Sequence, residues 1–155
     1  MTHVPPVPEG NHSVQPYLIL TSCAAAIAFY KKAFDATEVL RMMNQDGRIG
    51  HAEIRIGDSV VMMADEHPQI EAWSPKHYGG SPVSLMFYTA DCDTVYRQAL
   101  AAGAHSLREP ADQPYGIRMA GIRDPFGYKW YIGTQIKVMT PDALRDAVQE
   151  QKHSV

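Results

Sequence analysis

The chain has 155 residues, 45% of them hydrophobic and 20% charged, with a formal net charge of -3. That length suits one compact globular unit, or two small ones sharing a core. The near-neutral balance, without a basic stripe, excludes nucleic acid as the expected partner, and the apolar runs are too short to cross a membrane.

Residues 1–13, MTHVPPVPEGNHS, lack a basic start followed by an apolar run, so no secretory signal is expected. Their Pro, Gly and polar content describes an arm outside the core. A cytoplasmic protein is expected, with Cys23 and Cys92 as reduced thiols. VQPYLIL, from Val14 to Leu20, reads as a strand, with Pro16 near its start or an edge. A helix follows: Thr21 or Ser22 can cap it, and Ala26, Ile27, Tyr30, Ala33 and Phe34 recur at helical spacing. TEVLRMMN, IGHAEIRI and SVVMMAD then read as three strands, the last two joined by a Gly57-Asp58 turn.

Residues 65–82 break every period and read as a connector rich in Pro, Gly and His. VSLMFYTAD is the next strand. CDTVYRQALAAGA is a helix, with Asp91 or Asp93 as its cap and Gly103 at its end. HSLREP, GIRMAGIR and YKWYIGTQI are strands, the last after a DPFG turn. A short helix closes the chain, with Thr140 as cap and Pro141 in its first turn.

The order strand, helix, three strands therefore occurs twice. Tyr17 and Phe87 are 70 residues apart, Cys23 and Cys92 69, and Gly57 and Gly127 70. The expected organisation is an arm (1–13), a first βαβββ module (14–66), a linker (67–82), a second module (83–136), and a C-terminal helix and tail (137–155). The fold class is α+β.

The stretches AAAIAFYKKAF, GRIGHAEIRIGDSVVMMADE, SPVSLMFYTADCD, DQPYGIR and IRDPFGYKW, in this order within two such modules, carry a resemblance. From about Gln15 to Asp142 the chain resembles the glyoxalase/bleomycin resistance/extradiol dioxygenase group, the vicinal oxygen chelate superfamily, and within it the PhnB-like branch. The resemblance implies that each module curls its sheet into half of a cup, with helices outside, and that the protein is a homodimer. In metal-using members, ligands stand near the start of the first strand and on the last strand of each module. Gln15 suits such a position. Its counterpart falls near Ser84, with Met86 on the same strand face; Tyr131 stands where a glutamate is usual, and the matching first-module stretch, Val61 to Met63, is apolar. Serine, thioether and phenol suit a hard cation poorly. No cofactor is therefore expected, a divalent metal being the alternative. Gln15, Met63, Ser84, Met86, Arg118 and Tyr131 become candidates for lining a small-molecule site.

Alternation places Ile54 and Ile56 on one face of their strand and His51, Glu53 and Arg55 on the other. His51 and Glu53 are either an acid/base pair or a structural polar pair, with Arg55, Arg41 or Arg118 as possible partners. Arg118 can anchor an anionic group or pair with Glu53. Trp130 and Tyr128 share one face of the last strand, and Tyr131 and Lys129 the other. The expected function is binding of a small molecule, aromatic or antibiotic-like, in the cup. The alternative is an enzyme of the same superfamily, either metal-dependent (lyase, isomerase or dioxygenase) or metal-free through His51 and Glu53.

Overall fold

Helix α1, Cys23–Phe34, starts where the Ser22 hydroxyl accepts from the Ala25 N–H at 3.3 Å, and ends at Asp35 in the left-handed conformation. Its buried side includes Ala26, Ile27, Tyr30, Ala33 and Phe34, the positions that recur at helical spacing. They pack on a four-stranded sheet made of β1 (Tyr17–Leu20), β2 (Thr37–Met43), β3 (Ile49–Ile56) and β4 (Ser59–Asp65). The strand order is β1-β4-β3-β2, with β1 parallel to β4 and the other pairs antiparallel. Leu18, Leu20, Ala52, Ile54, Ile56, Val61 and Met63 are buried. Each large aliphatic among them contributes about 1.5–3 kcal/mol by leaving water.

The second module repeats the plan. Strands β5 (Ser84–Tyr88), β6 (His105–Asp112), β7 (Ile117–Arg123) and β8 (Lys129–Gln135) form a sheet of order β5-β8-β7-β6, again with its first and last strands parallel. A helix (Cys92–Ala102) packs on β6, β7 and β8. Asp91 caps it, accepting from the Thr94 N–H at 3.0 Å, and Gly103 ends it at φ 115°. Trp130, Ile132 and Ile122 lie buried on the helix side. The structure, a computed structural model, describes residues 4–152, and the described chain divides into two compact units between Ser81 and Pro82. A last helix spans Pro141–Lys152, with the Thr140 hydroxyl accepting from the Ala143 N–H. The final residues expected in its tail, 153–155, lie outside the described residues.

The segment expected to be a connector carries short turns of its own. It holds a 3-10 turn, Pro68–Ile70, and a single helical turn, Pro75–Tyr78. A proline opens each, where no N–H is needed. Gly79, at φ 74°, ends the second. The described part of the arm lies against its own module: Arg55 Nη1 donates to the Gly10 carbonyl at 3.4 Å.

Register sets the repeat at 69 residues. Ser22 and Asp91, Cys23 and Cys92, and Asp65 and Thr134 are structural counterparts. So are the cross-strand pairs Tyr17–Met62 and Met86–Tyr131. Tyr17 therefore matches Met86 and not Phe87, a slip of one residue that exchanges the two faces of a strand. The anchor of the repeat is a polar group at the end of each parallel pair. Asp65 Oδ1 accepts from the Cys23 N–H at 2.6 Å and Oδ2 from the Ile49 N–H at 2.7 Å; Thr134 Oγ1 accepts from the Cys92 N–H at 2.9 Å. These bonds tie each helix start to its sheet.

Asp124, 4% exposed, holds the last turn: Oδ1 accepts from the Phe126 and Tyr128 N–H groups, both at 2.9 Å, and Oδ2 from Trp130 Nε1 at 3.0 Å. Asp124→Ala leaves buried donors unmatched and should cost about 3 kcal/mol, measured by urea unfolding; a loss within about 0.5 kcal/mol contradicts this role. Cys23 is fully buried, and burial, then the Asp65 carboxylate, pushes its thiol from 9.0 up to about 12. Burial, with Asp93 beside it, also raises Cys92. Up to about pH 9 the folded and unfolded chains both hold the Cys23 proton. Between 9 and 12 only the unfolded chain releases it, so stability falls as pH rises through that window. Cys23→Ala should flatten this part of the stability–pH curve; an unchanged slope contradicts the assignment.

Candidate functional site

The sheet face turned away from α1 collects residues by parity. Tyr17 pairs with Met62, Met62 with Glu53, and Glu53 with Leu40, forming one row across all four strands. His51 pairs with Met42 in the neighbouring row. Tyr17, Leu40 and Met42 are 48%, 41% and 55% exposed, well above what core residues on a closed face would show.

The polar centre of this face is a hydrogen-bonded run. Tyr17 Oη lies 3.2 Å from His51 Nδ1, and His51 Nε2 lies 3.1 Å from Glu53 Oε1. The Tyr17 ring also stacks on the imidazole, with centroids 5.7 Å apart and planes at 20°. Burial, then the nearby Cys23 sulfur, raises the Tyr17 hydroxyl above its ordinary range, which favours the protonated phenol. A phenol that donates to Nδ1 fixes the remaining proton on Nε2, where it points at the Glu53 carboxylate. His51 and Glu53 are thus in contact with each other, and neither pairs with Arg55, Arg41 or Arg118. Arg41 instead pairs with Glu38, at 2.8 Å.

The other candidates fall in different places. Gln15 precedes β1. With its amide oriented by its neighbours, its nitrogen donates to the Val60 carbonyl at 3.1 Å and its oxygen accepts from the His12 N–H at 3.0 Å. Met63 is fully buried and pairs with Ala52 on the helix side, so the expectation that it lines the open face is corrected. Met62, the register equivalent of Tyr131, occupies that position. In the second module Ser84, Met86 and Tyr131 do share the face away from the helix, with Met86 paired to Tyr131. Glycines leave space that these side chains fill: Tyr131 leans over Gly121, and Met86 crosses Gly133, where an added Cβ would meet its terminal methyl.

Arg118 is also corrected. It shares the parity of the buried Ala120 and Ile122 and points to the helix side. There Nε and Nη2 grip both oxygens of Asp93 at 2.6 and 2.8 Å, and Nη1 reaches Asp112 at 2.8 Å. The guanidinium holds the Asp93 carboxyl below its ordinary range. This fork is a brace between a helix start and β7. It is not paired with Glu53, and each of its three nitrogens already donates to a carboxylate.

Sequence reasoning missed Tyr17 as a member of the face and did not single out Met62. The parity of Tyr17 with Ile19, opposite buried Leu18 and Leu20, carried the signal.

A divalent metal does not fit the equivalent positions. Gln15 has its amide engaged by backbone, Met62 offers a thioether, and Ser84 and Tyr131 offer neutral hydroxyls. Among the described residues no three His, Cys, Asp or Glu side chains gather to hold an ion. Nor, among them, is any helix long and apolar enough to cross a membrane.

The fold and these faces can be set beside known proteins. An uncharacterized protein of Mycobacterium tuberculosis is 35% identical over 142 residues, covering 90% of this chain and 84% of its own length. TioX from Micromonospora sp. ML1 superposes with a TM-score of 0.61 at 25% identity, covering 83% of this chain and all of its own. A PhnB protein from Bacillus cereus superposes with a TM-score of 0.60 at 20% identity, covering 79% of this chain and 99% of its own. The family model for the Glyoxalase/Bleomycin resistance protein/Dioxygenase superfamily matches residues 11–132. The paired βαβββ modules and this match together establish that the chain belongs to that superfamily.

Proposed function

We propose that the protein binds a small organic molecule on the open face of its first module, around Tyr17, His51 and Glu53, and needs no metal to do so. The observation that carries this reading is the exposure of Tyr17, Leu40 and Met42 around a hydrogen-bonded polar centre on one sheet face. Exposed apolar side chains give affinity and a few fixed polar groups give orientation, the usual division of labour in ligand sites. Methionine adapts its shape to irregular ligands at little cost. In the second module Met86, Tyr88 and Tyr131 offer a face of the same character. The superfamily's bleomycin-resistance members supply the analogy. A homodimer is part of this proposal; sedimentation velocity measures it.

A second reading has its own support. His51 lies between a phenol and a carboxylate, an arrangement that can take a proton at one ring nitrogen while the carboxylate stabilises the imidazolium. In that reading the bound molecule is a substrate and Glu53 orients the imidazole.

The test is a thermal-shift screen of small organic compounds at neutral pH, with hits titrated by calorimetry into wild type, Tyr17→Ala and Glu53→Ala. Loss of about tenfold or more in affinity in both variants, with folding intact by circular dichroism, is expected. Hits that bind both variants as tightly as wild type contradict the reading. Chemical conversion of a hit, abolished by His51→Gln, would move the assignment to the enzyme.

A further inference from the structure

We propose that a cavity in the first module, beside β1 and β4, is a subsite for a small uncharged ring compound; this deepens the reading of the open face as a ligand site and rests on it. The cavity holds about 220 Å³. Tyr17, Ile19 and Ala64 form one wall, from the same sheet face as His51. His67, Ile70 and Ala72, from the segment after β4, form the other.

That second wall is preformed. His67 and Ala72 exchange backbone hydrogen bonds, N–H to carbonyl at 2.9 and 3.2 Å. Glu66 Oε1 accepts from the Ser74 N–H at 3.0 Å and from its hydroxyl at 2.5 Å, and Ser74 is fully buried. These bonds hold the Glu66 carboxyl below its ordinary range. The cavity therefore persists as a space between two pinned walls, and a ligand need not pay to order them.

The charges around it decide what it takes. Three charged residues border the cavity, Arg48, Asp65 and Glu66. Arg48 is engaged by Asp46, with Nη2 at 2.8 Å, and its Nη1 donates to the Glu66 carbonyl at 3.1 Å. Both Asp65 oxygens accept backbone N–H groups. Glu66 is engaged by Ser74. An anion meets a lining with one excess negative charge and a cation that is already paired. A ligand cation meets Asp65, both of whose oxygens are taken, and Glu66, held by Ser74 through Oε1. Either ion loses water for a counter-group already engaged elsewhere. An uncharged ring loses little water and lies against Tyr17 and Ile19.

Two polar side chains remain in the lining. The side chains of Asn44 and His67 make no hydrogen bond among the described residues. The Asn44 amide packs over Gly50, where any Cβ would collide with its oxygen. A hydroxyl or carbonyl on the ring can reach these groups, so the ligand class is a neutral one- or two-ring compound with one such substituent.

The experiment titrates the full chain at neutral pH with three probes sharing one ring system: 2-naphthol, 2-naphthoate and 2-naphthylmethylammonium. 2-Naphthol should bind at least about tenfold tighter than either ion. Ala72→Phe, which fills the cavity from the loop, should remove that binding, and Asn44→Leu should weaken it severalfold. Circular dichroism and Tm check that both variants fold. Equal or tighter binding of an ion, no binding of 2-naphthol, or unchanged binding in Ala72→Phe overturns the subsite. Binding of 2-naphthol that survives Ala72→Phe but is lost in Tyr17→Ala overturns the subsite alone and leaves the open face standing. If hits from the wider screen ignore Tyr17→Ala and Glu53→Ala, the failure belongs to the face itself.

Discussion

A four-stranded sheet has two faces, and each module packs one long helix against one of them. Strand side chains alternate, so the helix sorts every strand into residues that must be apolar and residues that are free to be otherwise. In the first module Ala52, Ile54, Ile56, Val61 and Met63 are buried on the helix side. Tyr17, His51, Glu53, Met62 and Leu40 share the other face. The sorting depends on the helix start staying in register with the sheet. Asp65 secures this by accepting from both α1 and β3, and Thr134 does the same for its helix in the second module. A two-oxygen acceptor in one module and a single hydroxyl in the other show the same geometric need met by different chemistry.

That constraint explains why polar chemistry concentrates where it does. A histidine and a glutamate two residues apart on a strand point the same way, so contact between them requires only suitable rotamers. Tyr17 reaches His51 from a different strand, with β4 between them. The result is a phenol, an imidazole and a carboxylate in one line, on a face whose remaining members are largely apolar. Arg118 shows the opposite outcome. Its parity sends it to the helix side, where it pairs with Asp93 in the first helical turn and Asp112 on β6.

Much of the fold was legible because its signals are local. Ser22, Asp91, Gly103 and Thr140 act at the helix ends as their chemistry suggests. The pattern of Ile54 and Ile56 against His51 and Glu53 survives unchanged. Errors came from register, which is not local. The first hairpin closes through Gly57-Asp58 alone, because Ile56 pairs with Ser59; the second runs from Arg123 to Lys129, with residues 124–128 between. A landmark taken in the turns therefore gives an offset of 70, where β1 and β4 keep 69 to their counterparts and β3 keeps 68 to β7. One residue is enough to exchange Phe87 for Met86; Met63 is a separate slip of parity, one residue beyond Met62, the counterpart of Tyr131. Tyr17 was harder to see, since its meeting with His51 depends on how β1 aligns with β3 across β4. Arg118 was within reach: the buried Ala120 and Ile122 share its parity. The connector hid its structure because turns of three and four residues leave no periodicity to read.

The most direct test of the central claim follows the methionine methyl groups by NMR while a compound that binds the protein is added. Met62 and Met42 lie on the open face and Met63 lies beneath the helix. The account predicts concentration-dependent shifts at Met62 and Met42 with Met63 nearly still. Shifts at Met63 with Met62 and Met42 silent would contradict it.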